Sequence, residues 1–282
     1  MQPASVTGNI LGSYPRTAVS SKSEVEILLQ LDDQVALLRE GEISNRSGTI
    51  AAARWIGGLL HRYLEAVGSN SLFDLSFQEK TAFLFRLLQR YDPETATHTQ
   101  RVAALAEELG SFLRLRPGSI ELLRSGALLH DIGKLCISAK ILNGAGALTP
   151  QQWEIIKLHP RTGFLMLNAI PGLEAVARIV LNHHERFNGS GYPAAAAGNT
   201  IPYFAQIVAI CDVVDALQNK RSYKAAWSDR QVENYLDGEA QLLFAPDLCR
   251  QMREMLKQRL TSRFALVPAP VPASEPRPHL PM

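Results

Sequence analysis

Three features of this 282-residue chain predict an all-α fold. Apolar residues recur at helical spacing through most of its length. No segment alternates apolar and polar residues long enough to make a convincing strand. Proline and small polar residues stand where helices should start and stop. Glu24 to Glu40 carries Val25, Ile27, Leu28, Leu31, Val35 and Leu38 on one stripe, and Thr49 to Val67 carries a second through Ile56, Leu59, Leu60 and Leu64. Gly41 to Gly48 reads as their connector. A helix beginning near Phe77 ends at Asp92-Pro93, where the next begins with Asp92 as N-cap and Pro93 in the first position. Further helices fit residues 119–130, 149–158, 160–169, 172–184, 203–217, 228–239 and 246–263.

These elements divide the chain into four parts. Residues 1–22, rich in Ser, Thr, Gly and Pro, read as disordered. Residues 23–75 read as a helical regulatory or dimerising segment, because their stripes hold no cluster of reactive side chains. Residues 76–265 read as one continuous helical unit, and the proline-rich stretch 266–282 as a disordered tail.

Composition narrows the function classes. A formal net charge of +2 predicts no nucleic-acid polymer as partner and no strong attraction to acidic membranes. No apolar run approaches the roughly 20 residues that span a bilayer, and no basic start leads into an apolar signal core. Cys136, Cys211 and Cys249 are widely spaced and form no CxxC pair, which suits a reducing compartment and buried apolar roles. A cytoplasmic protein is expected.

The chemistry concentrates in the histidines. Five of the seven, His98, His130, His159, His183 and His184, fall in one internal stretch beside carboxylates, each other or proline-marked helix boundaries. A buried imidazole without a partner costs free energy, so five together are better explained as ligands than as core residues. Glu94 and His98 are four apart and share a helix face. The adjacent pair His130-Asp131 can give a nitrogen to one ion and bridge to a second through its carboxylate. His183 and His184 end a helix and can address different ions, and Asp212 lies mid-helix on a face with Val208 and Asp215. Imidazole and carboxylate without thiolate suit iron or manganese, with zinc as the alternative, and so many groups suit two or three divalent ions. Asp215 is equally readable as an acceptor that orients a ligand histidine or as a solvated helix residue. His61 and His279 lie outside the cluster and receive no function.

The segment His130-Asp131-Ile132-Gly133-Lys134, followed by His183-His184-Glu185-Arg186-Phe187-Asn188-Gly189-Ser190-Gly191-Tyr192-Pro193, resembles the HD-GYP family, a branch of the HD-domain phosphohydrolases. The resemblance runs from about Tyr91 to Pro246. It takes in Glu94 and His98, the pair His159-Pro160, the run Asp212 to Leu217, and Arg221 to Lys224. It implies an HD-domain helical bundle with a C-terminal HD-GYP extension. It also implies a phosphodiesterase that hydrolyses cyclic di-GMP to pGpG or GMP with metal-activated water. Carried over by matching positions, the metal ligands are Glu94, His98, His130, Asp131, His159, His183, His184 and Asp212, with Glu94 belonging to a third ion. Asp131 and Lys134 are the implied catalytic groups, and Lys134, Arg221 and Lys224 the phosphate contacts. Implied partners are cyclic di-GMP and a protein partner at the Gly-Tyr-Pro loop; a second copy of the chain through the N-terminal helices is read from their apolar stripes instead. Three positions depart from the family pattern: Asn188 and Ala245 replace aspartate, and Gln206 replaces arginine. They keep open an alternative in which a catalytically weak HD-GYP protein serves as a binding or interaction adaptor.

Overall fold

The computed structural model describes residues 22–40, 45–70, 75–144, 146–219, 226–238 and 240–265. Helices account for the regular structure, and no strand occurs among the described residues. In chain order they are α1 (Lys22–Glu40), α2 (Arg46–Asn70), α3 (Phe77–Tyr91), α4 (Pro93–Phe112), α5 (Pro117–Leu129), α6 (Ala139–Leu142), α7 (Pro150–Ile156), α8 (His159–Leu167), α9 (Glu174–Asn182), α10 (Tyr203–Gln218), α11 (Asp229–Asp237), α12 (Ala240–Leu243) and α13 (Pro246–Ala265). A 3₁₀ turn, Ile132–Cys136, leads out of α5. The predicted helices are all present. The two four-residue helices, α6 and α12, were not foreseen, because a single turn is too short to carry a periodicity.

The helix starts follow from local chemistry. Ser76 and Glu79 form a reciprocal capping box at α3, and Thr149 and Gln152 form another at α7. Asp92 caps α4 as predicted, its side chain accepting from the Thr95 N–H at 3.1 Å, with Pro93 in the first turn.

Two apolar cores flank α5. One joins Leu28, Leu31, Ile56, Leu59 and Leu60 of α1 and α2 to Leu84 and Leu88 of α3, and to Leu129, Ile132, Leu135, Met166 and Val180 around α8 and α9. Burial of each such side chain contributes about 1.5–3 kcal/mol, so α1 and α2 are fixed to the rest of the bundle by a shared core. The second core gathers Val102, Leu109, Leu123, Ile207, Val214, Val232 and Met252 from α4, α5, α10, α11 and α13. Cys136, Cys211 and Cys249 are buried in these cores, as expected for small apolar groups. The C-terminal ends of α5 and α9 meet between the cores, and the histidines collect there.

The proposed disordered ends, 1–22 and 266–282, lie outside the described residues apart from Lys22, which begins α1. The predicted phosphate contacts Arg221 and Lys224 also lie outside them.

Candidate metal centre

The centre is assembled from helix ends. His130 follows the last residue of α5, His183 follows the last residue of α9, and His159 opens α8 just after α7. Each imidazole donates its Nδ1–H to the carbonyl three residues earlier: His130 to Ala127 at 2.8 Å, His159 to Ile156 at 2.7 Å and His183 to Val180 at 2.6 Å. Carbonyls at a helix end lack intrahelical donors, so the ring satisfies a group the backbone leaves open. A carbonyl can only accept, which places the proton on Nδ1 and leaves a lone pair on each Nε2.

Those lone pairs converge with no donor among them. His159 Nε2 lies 3.2 Å from His183 Nε2 and 3.2 Å from Asp131 Oδ1. His130 Nε2 is buried without a hydrogen-bond partner, 3.4 Å from Asp131 Oδ2. Acceptors facing acceptors in a buried site leave an unmet demand for positive charge. Metal–nitrogen bonds of about 2.0–2.1 Å would place two neighbouring ligand nitrogens roughly 3 Å apart, so the donor set fits a cation. Three groups bring their ligand atoms within 4.8 Å of one another: His159, His183 and His184; His98, His130 and Asp212; and His130, Asp131 and His183. His130 and His183 each belong to two groups, and Asp131 stands between the nitrogens of His130 and His159.

Electrostatics keep the group of His159, His183 and His184 ready for cations. Burial pushes His159 down to about 4 and His184 to about 3, and holds His183 well below the ordinary histidine value. These rings are therefore neutral near pH 7, as ligation requires. Burial disfavours the Asp131 carboxylate, yet Lys134 and His130 hold it well below the usual carboxylate range. Asp212 is held down in the same way, against its burial, by His98 and His130.

His98 is oriented from behind. Its Nε2 faces Asp212 Oδ1 at 3.0 Å, and its Nδ1 faces Asp215 Oδ2 at 2.8 Å. Burial disfavours its charged form, but the hydrogen bonds to Asp212 and Asp215 outweigh this and raise it to about 9. Asp215 is in turn gripped by Arg101, through Nε at 2.8 Å and Nη2 at 2.9 Å, and by Asn219 Nδ2 at 2.9 Å. The open question about Asp215 is thus resolved in favour of the orienting role. Losing such support behind a ligand costs roughly 10–100-fold in metal affinity. An Asp215→Asn protein should accordingly bind manganese more weakly by that factor in calorimetric titration.

The remaining predicted residues take different positions. Lys134 Nζ pairs with Asp131 Oδ2 at 2.6 Å, and the lysine side chain is 23% exposed. Glu94 sits one turn before His98, but it is solvent-exposed and belongs to none of the three groups. Its spacing gave a shared face with His98, yet Glu94 and the adjacent Pro93 are exposed while Ala96 of the same turn is buried.

The Gly-Tyr-Pro segment folds back over the histidines. The Tyr192 ring lies 4.8 Å from that of His184, and the Tyr192 N–H donates to the His184 carbonyl at 3.2 Å. A Cβ on Gly191 would fall 2.4 Å from Arg186 N and 2.5 Å from Glu185 Cα, so only glycine allows this closure. Glu185 is buried and accepts from the N–H groups of Ala194 at 2.7 Å and Ala196 at 3.0 Å, which pins the far side of the loop. The three departures from the family pattern leave the ligands untouched. Asn188 Oδ1 accepts from the Ser190 N–H at 3.0 Å, Gln206 Nε2 donates to the Ile201 carbonyl at 2.9 Å, and Ala245 packs on the second core.

Sequence reasoning passed over Arg101 and Glu185. The first had a signal: His98 and Arg101 on α4 repeat the three-residue spacing of Asp212 and Asp215 on α10. Glu185 had none, because its partners are backbone groups.

Comparison with known proteins adds independent findings. The family model described as HD domain matches residues 83–248. The chain is similar to 3'3'-cGAMP-specific phosphodiesterase 2 of Vibrio cholerae, with 35% identity over 175 residues, 61% of this chain and 34% of that protein. It is similar to the cyclic di-GMP phosphodiesterase response regulator RpfG of Xanthomonas campestris, with 35% identity over 171 residues, 60% of this chain and 45% of that protein. A cyclic di-GMP phosphodiesterase of Thermotoga maritima is 34% identical over 191 residues, 64% of this chain and 52% of that protein. The chain therefore spans between 34% and 52% of the length of these curated relatives.

Proposed function

We propose, from the premise that this chain belongs to the HD-domain family, that it is a metal-dependent phosphodiesterase hydrolysing cyclic di-GMP to pGpG or GMP. The observation that carries this reading is the convergence of the His130 and His159 lone pairs on Asp131, with that of His183 beside His159 and no hydrogen-bond donor to satisfy the three. The relatives, which include both cyclic di-GMP and 3'3'-cGAMP phosphodiesterases, support a cyclic dinucleotide as substrate.

Two divalent ions, iron or manganese with zinc as the alternative, would be held by His98, His130, Asp131, His159, His183, His184 and Asp212. A third would draw on Glu94, whose carboxylate is exposed one turn before His98. Such ions supply a water of lowered pKa and charge stabilisation on both the attacking and leaving oxygens of a phosphodiester. The chain's own residues do the rest. Asp131 holds the two sets of nitrogens in register, and Asp215 with Arg101 fixes the ring of His98. Lys134, partly exposed beside Asp131, would offset charge on a phosphate oxygen, and Arg221 and Lys224 would do the same, the guanidinium in a bidentate way. Among the described residues, no helix is long and apolar enough to cross a membrane. A homodimer through the N-terminal helices is supported by Leu37 and Trp55, which are 62% and 56% exposed. Pro193, Ala194 and Ala195 are exposed at the turn of the Gly-Tyr-Pro loop, where a protein partner would contact it.

Product analysis tests the proposal. Manganese- or iron-loaded, reduced protein should convert cyclic di-GMP to pGpG or GMP. Replacing Arg221 or Lys224 with Ala should leave the metal content unchanged and lower kcat/KM by about 10- to 100-fold, the scale of a lost charged hydrogen bond. Intact cyclic di-GMP after prolonged incubation would reject the substrate assignment. A parallel incubation with 3'3'-cGAMP decides whether that nucleotide is preferred.

A further inference from the structure

We infer that Arg39, on the N-terminal helix α1, is a positioning residue for the metal centre, tying the start of α4 to the turn that leaves Asp131. The inference rests on the metal-dependent reading above. Arg39 is 7% exposed, and its guanidinium lies between two pieces of backbone far from it in sequence. Nη2 pairs with Asp92 Oδ2 at 3.4 Å, while Nη1 donates to the Ile137 carbonyl at 3.3 Å and reaches the Lys134 carbonyl at 3.5 Å.

Both anchor points carry ligands. Asp92 uses its other carboxylate oxygen to cap α4, the helix that bears His98. Lys134 lies in the turn that begins directly after His130 and Asp131, and Ile137 is the residue that follows it. One side chain from α1 therefore sets the distance between His98 and the His130-Asp131 pair. A second grip comes from the same face of α1, seven residues earlier. Asp32 accepts from Tyr91 Oη at 2.6 Å and pairs with Arg90 Nη2 at 3.3 Å, so α1 holds residues 90, 91 and 92 together. The planar guanidinium suits this place because it can serve a carboxylate and carbonyls at once, which an ammonium on a single point cannot. The group of His159, His183 and His184 stands on α8 and α9 and receives no contact from Arg39 among those described. The effect of Arg39 should therefore fall most heavily on the ion that uses His98.

Calorimetric titration of the metal-free full chain with manganese tests this. A His98→Ala protein first identifies which binding class depends on His98. Arg39→Lys and Asp92→Asn should each weaken that class by about 10-fold, as loss of support behind metal ligands does. The class served by His159, His183 and His184, which Arg39 reaches only through the shared Asp131, should weaken by less. Asn still caps α4, so Asp92→Asn keeps the question decidable even where the Arg39 variant folds poorly. The double variant should lose less than the sum of the two, because both changes break one interaction. With bis(p-nitrophenyl) phosphate as a generic substrate, kcat should fall and KM should hold. Leu31→Ala, which trims the apolar face of the same helix, is the control: it should lower Tm and leave manganese affinity alone. Wild-type affinity in Arg39→Lys, or an equal loss in Leu31→Ala, would overturn the positioning role while leaving the phosphodiesterase reading intact. A wild-type chain that binds no divalent metal would instead overturn that reading, and this inference with it.

Discussion

Asp131→Ala protein should lose most of its bound metal and at least about 10³-fold in kcat, the scale of removing a preorganised charge from a reacting centre. The expectation follows from where the carboxylate sits. One oxygen lies 3.2 Å from His159 Nε2 and the other 3.4 Å from His130 Nε2, so a single side chain joins two groups of ligands. Its removal leaves the buried nitrogens facing one another without a counter-charge to hold cations. Glu94→Ala is the matched comparison, because that carboxylate is exposed and outside the three groups. It should keep at least two ions and most of the turnover. Elemental analysis together with cyclic di-GMP hydrolysis reads both quantities, and full metal content in Asp131→Ala would remove the bridging role.

Gly133→Ala should be the most destabilising small substitution in the site. An added Cβ would stand 2.0 Å from the His159 carbonyl oxygen, 2.5 Å from Gly163 N and 2.5 Å from Thr162 Oγ1. Two of these are backbone atoms that cannot swing aside, so the turn after Asp131 must separate from α8. Overpacking of this kind costs about 3 kcal/mol or more, which lowers Tm by roughly 6–12 °C for a domain of this size. The same displacement moves Asp131 and Lys134 away from His159, so metal affinity should fall with stability. Gly58→Ala provides the contrast. Gly58 is exposed within α2 with nothing within 4 Å of the added carbon, and alanine there should stabilise the chain by up to about 1 kcal/mol. Thermal unfolding of the two variants side by side is the check, and a Gly133→Ala protein that melts with the wild type would contradict the close approach.

What the sequence disclosed was the part governed by short-range rules. The Asp92-Pro93 boundary was readable because capping is a property of four consecutive residues, and the structure places the cap where the residues predicted it. His130, His159 and His183 were readable because each ends or begins a helix, and a helix end needs a donor for its last carbonyls. The same spacing says less about Glu94. An i, i+4 pair establishes a common face but not what covers that face, and Glu94 itself is exposed. Asp215 was left between two readings because its partner Arg101 lies on another helix, and pairing between helices is a tertiary fact. Arg39 had no signal at all: its contacts to the turn after Asp131 bridge 95 and 98 positions of sequence, and on α1 it looks like any solvated basic residue near a helix end.

The number of metal ions per chain is the measurement closest to the centre of this account. Protein purified without oxygen and analysed for iron, manganese and zinc should contain two or three ions per chain, since the three ligand groups share His130 and His183 and cannot all be satisfied by one. A folded, fully loaded protein holding one ion or none would contradict the account.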